Sequence, residues 1–150
     1  MSRGSELGKL GEDVACEYLV DKKFRIIERN YRKPWGELDI IALAPDKTLV
    51  FLEVKTLRQI RDGGFNGLQP EDHMTASKIK KFKRTASLYA GNRPELIRDD
   101  KGWRLDVITI LVNRTKPTCG EFVKPTCGKL VEPLTKDGKS FVMKHYENIS

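Results

Sequence analysis

The chain has 150 residues, of which 33% are charged and 39% hydrophobic, a balance that argues against disorder and suits one domain with a single core. No apolar stretch is long enough to span a membrane, and the N-terminus lacks the apolar segment of a signal peptide, so we expect a cytoplasmic protein with no membrane partner. The net charge of +7 favours a polyanionic partner, of which nucleic acid is the commonest.

The chain opens with the pattern of an amphipathic helix, which Ser5 can cap and which we expect to run to about Asp21. Its apolar stripe comprises Leu7, Val14, Tyr18 and Leu19. Glu12 borders this stripe, because Cys16 lies one turn after it. The carboxylate of Glu12 either serves a functional site or pairs with a neighbouring lysine, and both interpretations stay open.

A short strand is predicted over 24–28, and an alternating basic and aromatic segment, 29–35, follows it. This segment is either a nucleic-acid-binding edge or a solvated turn. The candidate groups are Arg29 and Arg32 for phosphate, and Tyr31 and Trp35 for stacking on an unstacked base. For Trp35 alone we favour the second interpretation, in which its ring covers the core.

Two apolar stretches, 36–42 and 50–55, are predicted to form an antiparallel hairpin, because turn-forming residues around Asp46 separate them. Centring the turn on Asp46 sets the register of the two strands. In this register Asp39 falls opposite Glu53, and Glu37 falls opposite Lys55.

Asp39 and Glu53 then meet at the end of an apolar hairpin, where strict alternation would place Asp39 on the same face as Ile41. Like charges directly opposite each other destabilise a sheet, and a buried carboxylate without a partner is costly. A divalent cation would compensate for this repulsion, with Lys55 beside it. Mg²⁺ and Mn²⁺ suit hard oxygen ligands of this kind.

A second helix is predicted over about 75–91, begun by Thr75 or Ser77. Its apolar stripe comprises Ile79, Phe82, Ala86 and Tyr89, and its other faces carry Lys78, Lys80, Lys81, Lys83 and Arg84. These bases form either a solvated face or a phosphate-binding surface, since phosphate would relieve their mutual repulsion. We expect Lys78, Lys81 and Arg84 to contact nucleic acid.

The last third of the chain contains a predicted strand, 103–112, whose Asp106 we interpret as a structural partner of a basic side chain. The sequence Lys-Pro-Thr-Cys-Gly then occurs twice. We expect a core over 1–112, an inserted arm over 113–139 that carries this repeat, and a C-terminal strand within 140–150 that completes the same domain. Cys119 and Cys127 could bind zinc only with His73 or His145, and their spacing fits no common zinc motif.

The run Gly36-Glu37-Leu38-Asp39, followed by Glu53-Val54-Lys55, resembles the signature of the restriction-endonuclease-like fold. More narrowly, residues from about Gly8 to Ile110 resemble the YraN-like family of predicted endonucleases, relatives of archaeal Holliday-junction resolvases. The matching pieces, besides the hairpin, are Gly8-x-x-Gly11-Glu12, Arg29-Asn30-Tyr31-Arg32, the helix of Lys78, and Trp103-Arg104-Leu105-Asp106-Val107.

The resemblance implies a single α/β domain with a mixed sheet flanked by helices, and a metal-dependent endonuclease acting on DNA, with branched or flapped DNA as the hypothetical substrate. It implies that Asp39, Glu53 and the Val54 carbonyl hold Mg²⁺ or Mn²⁺, that Lys55 acts on the attacking water, and that Glu12 serves a second ion. Lys78 matches the family's lysine on the second helix. A homodimer is left open. The rival functions are a non-catalytic nucleic-acid-binding module and a protein-interaction adaptor.

Overall fold

The computed structural model describes residues 6–58, 74–113, 129–136 and 139–149. In chain order the elements are α1 (Glu6–Asp21), β1 (Arg25–Lys33), β2 (Gly36–Leu43), β3 (Leu49–Arg58), α2 (Ala76–Asn92), a 3₁₀ turn (Pro94–Leu96), β4 (Trp103–Asn113), β5 (Lys129–Lys136) and β6 (Lys139–Tyr146). The six strands form one sheet in the order β1-β2-β3-β4-β6-β5. Only β3 and β4 pair in parallel, so the sheet is mixed and the predicted α/β fold is confirmed.

Each face of the sheet carries one helix over its own hydrophobic core. The α1-side core includes Val14, Leu19, Ile40, Leu52 and Phe141. The α2-side core includes Leu38, Phe51, Phe82, Tyr89 and Leu105. Helix stripes and strand alternation therefore supply two apolar layers, and the sheet between them is covered on both sides.

The helix boundaries agree with the capping chemistry. Thr75 is the N-cap of α2, and its hydroxyl accepts a hydrogen bond from the Lys78 N–H at 3.3 Å. Three of the four residues in the predicted stripe of α2 are buried, as are three of the four in the stripe of α1. The less buried members are Ile79 and Leu7, both near the start of their helix.

The β2–β3 hairpin has the predicted register. Leu43 pairs with Leu49 and Ile40 with Leu52, while the Ala44 N–H donates to the Thr48 carbonyl at 2.9 Å. Asp46 accepts a hydrogen bond from the Thr48 N–H at 3.0 Å, as expected of an aspartate that starts a turn. The turn chemistry therefore determines which residues of the two strands face each other.

The structure corrects the interpretation of residues 29–33 as a segment that follows a strand. They belong to β1, which continues to Lys33 because Arg29 pairs with Ile40 and Arg32 with Glu37. The ring of Tyr31 packs edge-on against Tyr89, with 5.1 Å between ring centroids. Antiparallel pairing with β2 therefore extends the strand well past the predicted end.

Strand β5 lies inside the predicted arm, 113–139, and pairs with β6 at the edge of the sheet. The predicted final strand lies within β6. The repeat itself, with Cys119 and Cys127, and also His73, lies outside the described residues.

Candidate active site

The regular alternation of side chains between the two faces of the sheet is interrupted in β2 at Asp39. Leu38 packs in the α2-side core, and so does Ile41, although strict alternation would put them on opposite faces. Ile40 packs in the α1-side core. The paired ladder ends at Ile40 and Leu52, so the predicted pairing of Glu37 with Lys55 does not form. The irregularity is local to Asp39 and sets this carboxylate apart from the regular sheet.

The Asp39 carboxylate accepts a backbone hydrogen bond of the kind that a backbone carbonyl accepts in a regular pair of strands. Its Oδ2 accepts a hydrogen bond from the Val54 N–H at 2.8 Å, two residues beyond Leu52, the last paired residue of β3. Asp39 is thereby attached to the peptide that links Glu53 to Val54. Asp39 and Glu53 adjoin the last pair of the ladder, Ile40 with Leu52, so the described pairing stops one step short of the predicted Asp39–Glu53 pair.

The two carboxylates repel each other in a poorly solvated place. Burial raises the pKa of Asp39 to about 7, and the charge of Glu53 acts in the same direction. The Val54 hydrogen bond and the Lys55 charge oppose this rise in pKa, while Glu12 adds to it. A full negative charge on Asp39 is therefore unfavourable at neutral pH without a further cation.

Lys55 lies beside Glu53 on the same face of β3. Its Nζ is 2.7 Å from Glu53 Oε1, and both side chains are about three-quarters buried. This pair is a residue and its second neighbour on one strand, which alternation brings to one side. The structure therefore gathers Asp39, Glu53 and Lys55 at one end of the hairpin.

Glu12 comes to the same region because α1 packs closely on β3. A Cβ added to Gly11 would overlap the Thr56 side chain, so only glycine permits this approach. Glu12 Oε2 lies 4.0 Å from Arg29 Nη2, and that guanidinium also donates to Asp13 at 2.7 Å. The charge of Glu12 raises the pKa of Asp39, and the basic partner of Glu12 is Arg29 of β1 in place of the expected lysine.

The donor set fits a hard divalent ion in its chemistry. Carboxylate oxygens of Asp39 and Glu53, together with the backbone carbonyl of Val54, are ligands of the kind that Mg²⁺ and Mn²⁺ prefer. In the described part of the chain, no three side chains of His, Cys, Asp or Glu form a ready ligand group, so Glu12 does not join Asp39 and Glu53 in one. The fit therefore rests on two carboxylates whose repulsion a cation would remove.

The basic residues predicted to bind nucleic acid lie on two elements. Lys78, Lys81 and Arg84 are exposed on α2, and Arg32 is exposed on β1. Arg29, by contrast, already has Asp13 and Glu12 as partners. A Cβ on Gly36 would overlap Thr85 of α2. The middle of α2 therefore rests on the start of β2, three residues from Asp39.

A buried polar network on the α1 side was missed by sequence reasoning. His145 Nε2 lies 2.9 Å from Asp106 Oδ2, and the Tyr18 hydroxyl lies 3.2 Å from His145 Nδ1. Both ring nitrogens of His145 lie within hydrogen-bond distance of these partners, so neither is left for zinc. Asp106 is a partner of Arg104, whose Nη2 donates at 3.2 Å, as predicted. Arg104 Nε lies 3.1 Å from Asp106 Oδ1 but lacks hydrogen-bond geometry.

Among the described residues, neither helix has the length and the apolar character needed to cross a bilayer.

Comparison with known proteins identifies the family. The model of the uncharacterised protein family UPF0102 matches residues 11–110, the segment over which the chain resembles YraN-like proteins. A UPF0102 protein of Syntrophomonas wolfei is 39% identical over 111 residues, which cover 74% of this chain and 89% of that protein. A UPF0102 protein of Mycobacterium ulcerans is 40% identical over 115 residues, covering 73% of this chain and 84% of the relative. One from Dictyoglomus turgidum is 35% identical over 108 residues, covering 72% and 84%. The chain therefore belongs to the UPF0102 family, and the suspected YraN-like relationship is confirmed.

Proposed function

We propose that this protein is a divalent-metal-dependent endonuclease that hydrolyses phosphodiester bonds of DNA. The observation that carries the proposal is the 2.8 Å hydrogen bond by which the Val54 N–H holds the Asp39 carboxylate next to Glu53, with Lys55 2.7 Å from Glu53. Two acids and a lysine in this relation suit phosphodiester hydrolysis, because the reaction needs a cation near the phosphate and a group that acts on water.

Asp39 and Glu53, with the Val54 carbonyl, would hold Mg²⁺ or Mn²⁺. When bound, the ion would supply positive charge that stabilises the reacting phosphate and makes a bound water more acidic. Asp39 is positioned by its 2.8 Å hydrogen bond from the Val54 N–H, which engages Oδ2. Its Oδ1 can then serve as a ligand while the carboxylate stays fixed to β3.

Lys55 has a different task in this mechanism. Its ammonium group reaches Glu53 at 2.7 Å, so it lies at the edge of the acidic pair rather than inside it. From there it can donate hydrogen bonds to the attacking water and to a phosphate oxygen, which orients the water for attack. Because an ammonium group cannot ligate a cation, we assign Lys55 no part in holding the ion.

The exposed lysine and arginine side chains of α2 supply affinity for the sugar-phosphate backbone of the DNA. Lys78, Lys81 and Arg84 lie on the helix whose middle rests on Gly36, at the start of the strand that bears Asp39. Phosphate contacts from these residues release counterions and bind DNA without reading its sequence. They therefore bring the backbone to the acidic pair.

The proposal is tested by a nicking assay on duplex, flapped and four-way-junction DNA, with Mn²⁺ or with EDTA. We expect cleavage only with the metal, and a loss of at least about a hundredfold in Asp39→Asn and Glu53→Gln, since each removes an anionic ligand of the ion. Glu37→Gln is the matched control, because Glu37 is an exposed acid on the same strand, two residues from Asp39. Cleavage that persists in Asp39→Asn or Glu53→Gln, or in EDTA, contradicts the proposal.

A non-catalytic nucleic-acid-binding module is the second candidate. It is favoured by the Glu53–Lys55 ion pair, which neutralises Glu53 without any metal. A wild type that binds DNA, shows no stabilisation by Mn²⁺ and cuts none of the three substrates would establish this candidate in place of the first.

A further inference from the structure

Trp35 stands exposed at the tip of the β1–β2 hairpin. Its exposed fraction is 40%, and only Val20 and Leu88 are other large hydrophobic residues with comparable exposure in the described ranges. Trp35 is absent from both the α1-side and the α2-side core, so the interpretation of its ring as a cover for the core is not supported. Part of a large flat aromatic surface therefore stays in contact with water.

The surroundings of Trp35 carry more basic than acidic residues. Arg32 and Lys33 precede it in the chain, the exposed acid Glu37 follows two residues after it, and no acid occurs between positions 78 and 84. Gly36, its neighbour, abuts Thr85 of α2 so closely that a Cβ would overlap the Thr85 hydroxyl. The tip therefore lies against the part of α2 that carries Lys81 and Arg84. Positive charge around an aromatic ring is the combination that binds unpaired nucleotides.

Tyr31, the other aromatic candidate for stacking, is already engaged. Its ring packs edge-on against Tyr89 at 5.1 Å, and Lys33 Nζ lies 5.5 Å from the centre of the same ring. Trp35 directly precedes β2, the strand that bears Asp39, and the four residues from Trp35 to Asp39 span at most about 13 Å at the usual rise of a strand. A DNA strand that reaches Asp39 can therefore also reach Trp35.

We propose that Trp35 stacks on an unpaired base and thereby directs the protein to DNA in which a duplex adjoins unpaired nucleotides. This inference rests on the proposed function, of which it names the substrate class. Bases inside an intact duplex have both faces covered by their neighbours, whereas an unpaired base has a face free for Trp35. The lysine and arginine side chains of β1 and α2 bind the phosphates on either side of that nucleotide.

The test measures binding in EDTA, so that no cleavage occurs. The probes are a fluorescein-labelled, fully paired duplex and the same duplex with a short unpaired bulge. The variants are Trp35→Ala and Trp35→Phe, with Leu88→Ala as the matched control, because Leu88 is equally exposed but lies on α2. Vesicles of phosphatidylserine and phosphatidylcholine test whether an anionic membrane is the partner of Trp35 and the surrounding basic side chains instead.

We expect wild type to prefer the bulged duplex. Trp35→Ala should lower affinity for the bulged duplex about tenfold and change affinity for the paired one less than about twofold, since stacking acts only on the free base. Trp35→Phe should keep most of the preference, and Leu88→Ala all of it. Equal losses on both duplexes, no loss on either, or loss of vesicle binding alone would overturn the inference.

The two proposals fail in different ways. A wild type that shows the Trp35-dependent preference in EDTA but cuts no DNA in Mn²⁺ overturns the endonuclease proposal and leaves the stacking role in place. A wild type that cuts DNA with Mn²⁺ but binds both duplexes alike, with or without Trp35, overturns the stacking role alone.

Discussion

Asp39 Oδ2 accepts a hydrogen bond from the Val54 N–H at 2.8 Å, just where the β2–β3 ladder ends. This contact fixes one carboxylate to the backbone that carries the other, because Val54 directly follows Glu53. The Glu53 carboxylate is held in turn by Lys55, whose Nζ lies 2.7 Å from its Oε1. A site that is held in this way needs little rearrangement to receive a cation.

The raised pKa of Asp39 predicts how stability depends on pH. An aspartate in an unfolded chain titrates near about 3.9, whereas burial and Glu53 raise the pKa of Asp39 to about 7 in the folded protein. Its contribution to stability is therefore fully present below about pH 4 and is lost as pH rises through about 7. In EDTA, wild type should lose more unfolding free energy between about pH 5 and about pH 8 than Asp39→Asn. Glu37→Gln is the control and should lose as much unfolding free energy as wild type. An equal loss in wild type and Asp39→Asn would contradict the buried, acidic environment assigned to Asp39.

Lys55→Ala should separate metal binding from hydrolysis. The variant should keep the rise in Tm that Mn²⁺ produces, because Lys55 does not ligate the ion and its removal frees Glu53 from a 2.7 Å ion pair. Single-turnover cleavage should fall at least about a hundredfold, as expected when a group that positions water is lost. Lys101→Ala is the control, since that lysine pairs with Asp46 at the hairpin turn. Loss of the Mn²⁺ effect in Lys55→Ala would show that its role is assigned wrongly.

The basic face of α2 should govern the salt dependence of DNA binding. Replacing Lys78, Lys81 and Arg84 together by Ala should weaken binding to all sequences and reduce the slope of log affinity against log salt by about two to three. The control is a triple Ala variant of Lys22, Arg25 and Arg98, which removes the same charge from exposed positions off α2. Binding assays at several salt concentrations measure both slopes. An equal change in the two variants would mean that net charge matters and the helix does not.

In the buried network around Asp106, removing the charged group should cost more stability than removing an uncharged one. Asp106→Ala removes a fully buried acid that accepts from His145, Arg104 and the Asn148 N–H, so we expect a loss of about 3 kcal/mol. Tyr18→Phe removes only one neutral hydrogen bond and should cost about 1 kcal/mol. Urea unfolding gives both values. A smaller loss in Asp106→Ala than in Tyr18→Phe would contradict this ranking.

Local chemistry made the hairpin predictable. Asp46 marks the turn, and the turn sets the register of the ladder as far as Ile40 and Leu52, the neighbours of Asp39 and Glu53. The apolar stripe of α2 was equally readable, because burial follows the helical period at Phe82 and Tyr89.

Features that depend on contacts between distant segments were not predictable. The extension of β1 to Lys33 depends on pairing with β2, and the packing of Tyr31 depends on Tyr89, which lies far along the chain. The interrupted alternation at Asp39 follows from a bond between its side chain and the backbone of β3, which no hydrophobic pattern reveals. His145 appeared as a lone histidine, because its partners Tyr18 and Asp106 come from two other elements.

The most direct test of the central claim is an anomalous difference map from a crystal soaked in Mn²⁺. A cation that offsets the repulsion between Asp39 and Glu53 should give a peak between these two carboxylates, and the peak should be absent in the Asp39→Asn crystal soaked in the same way. A wild-type map with no peak between Asp39 and Glu53 would contradict the account, whatever ions bind elsewhere on the surface.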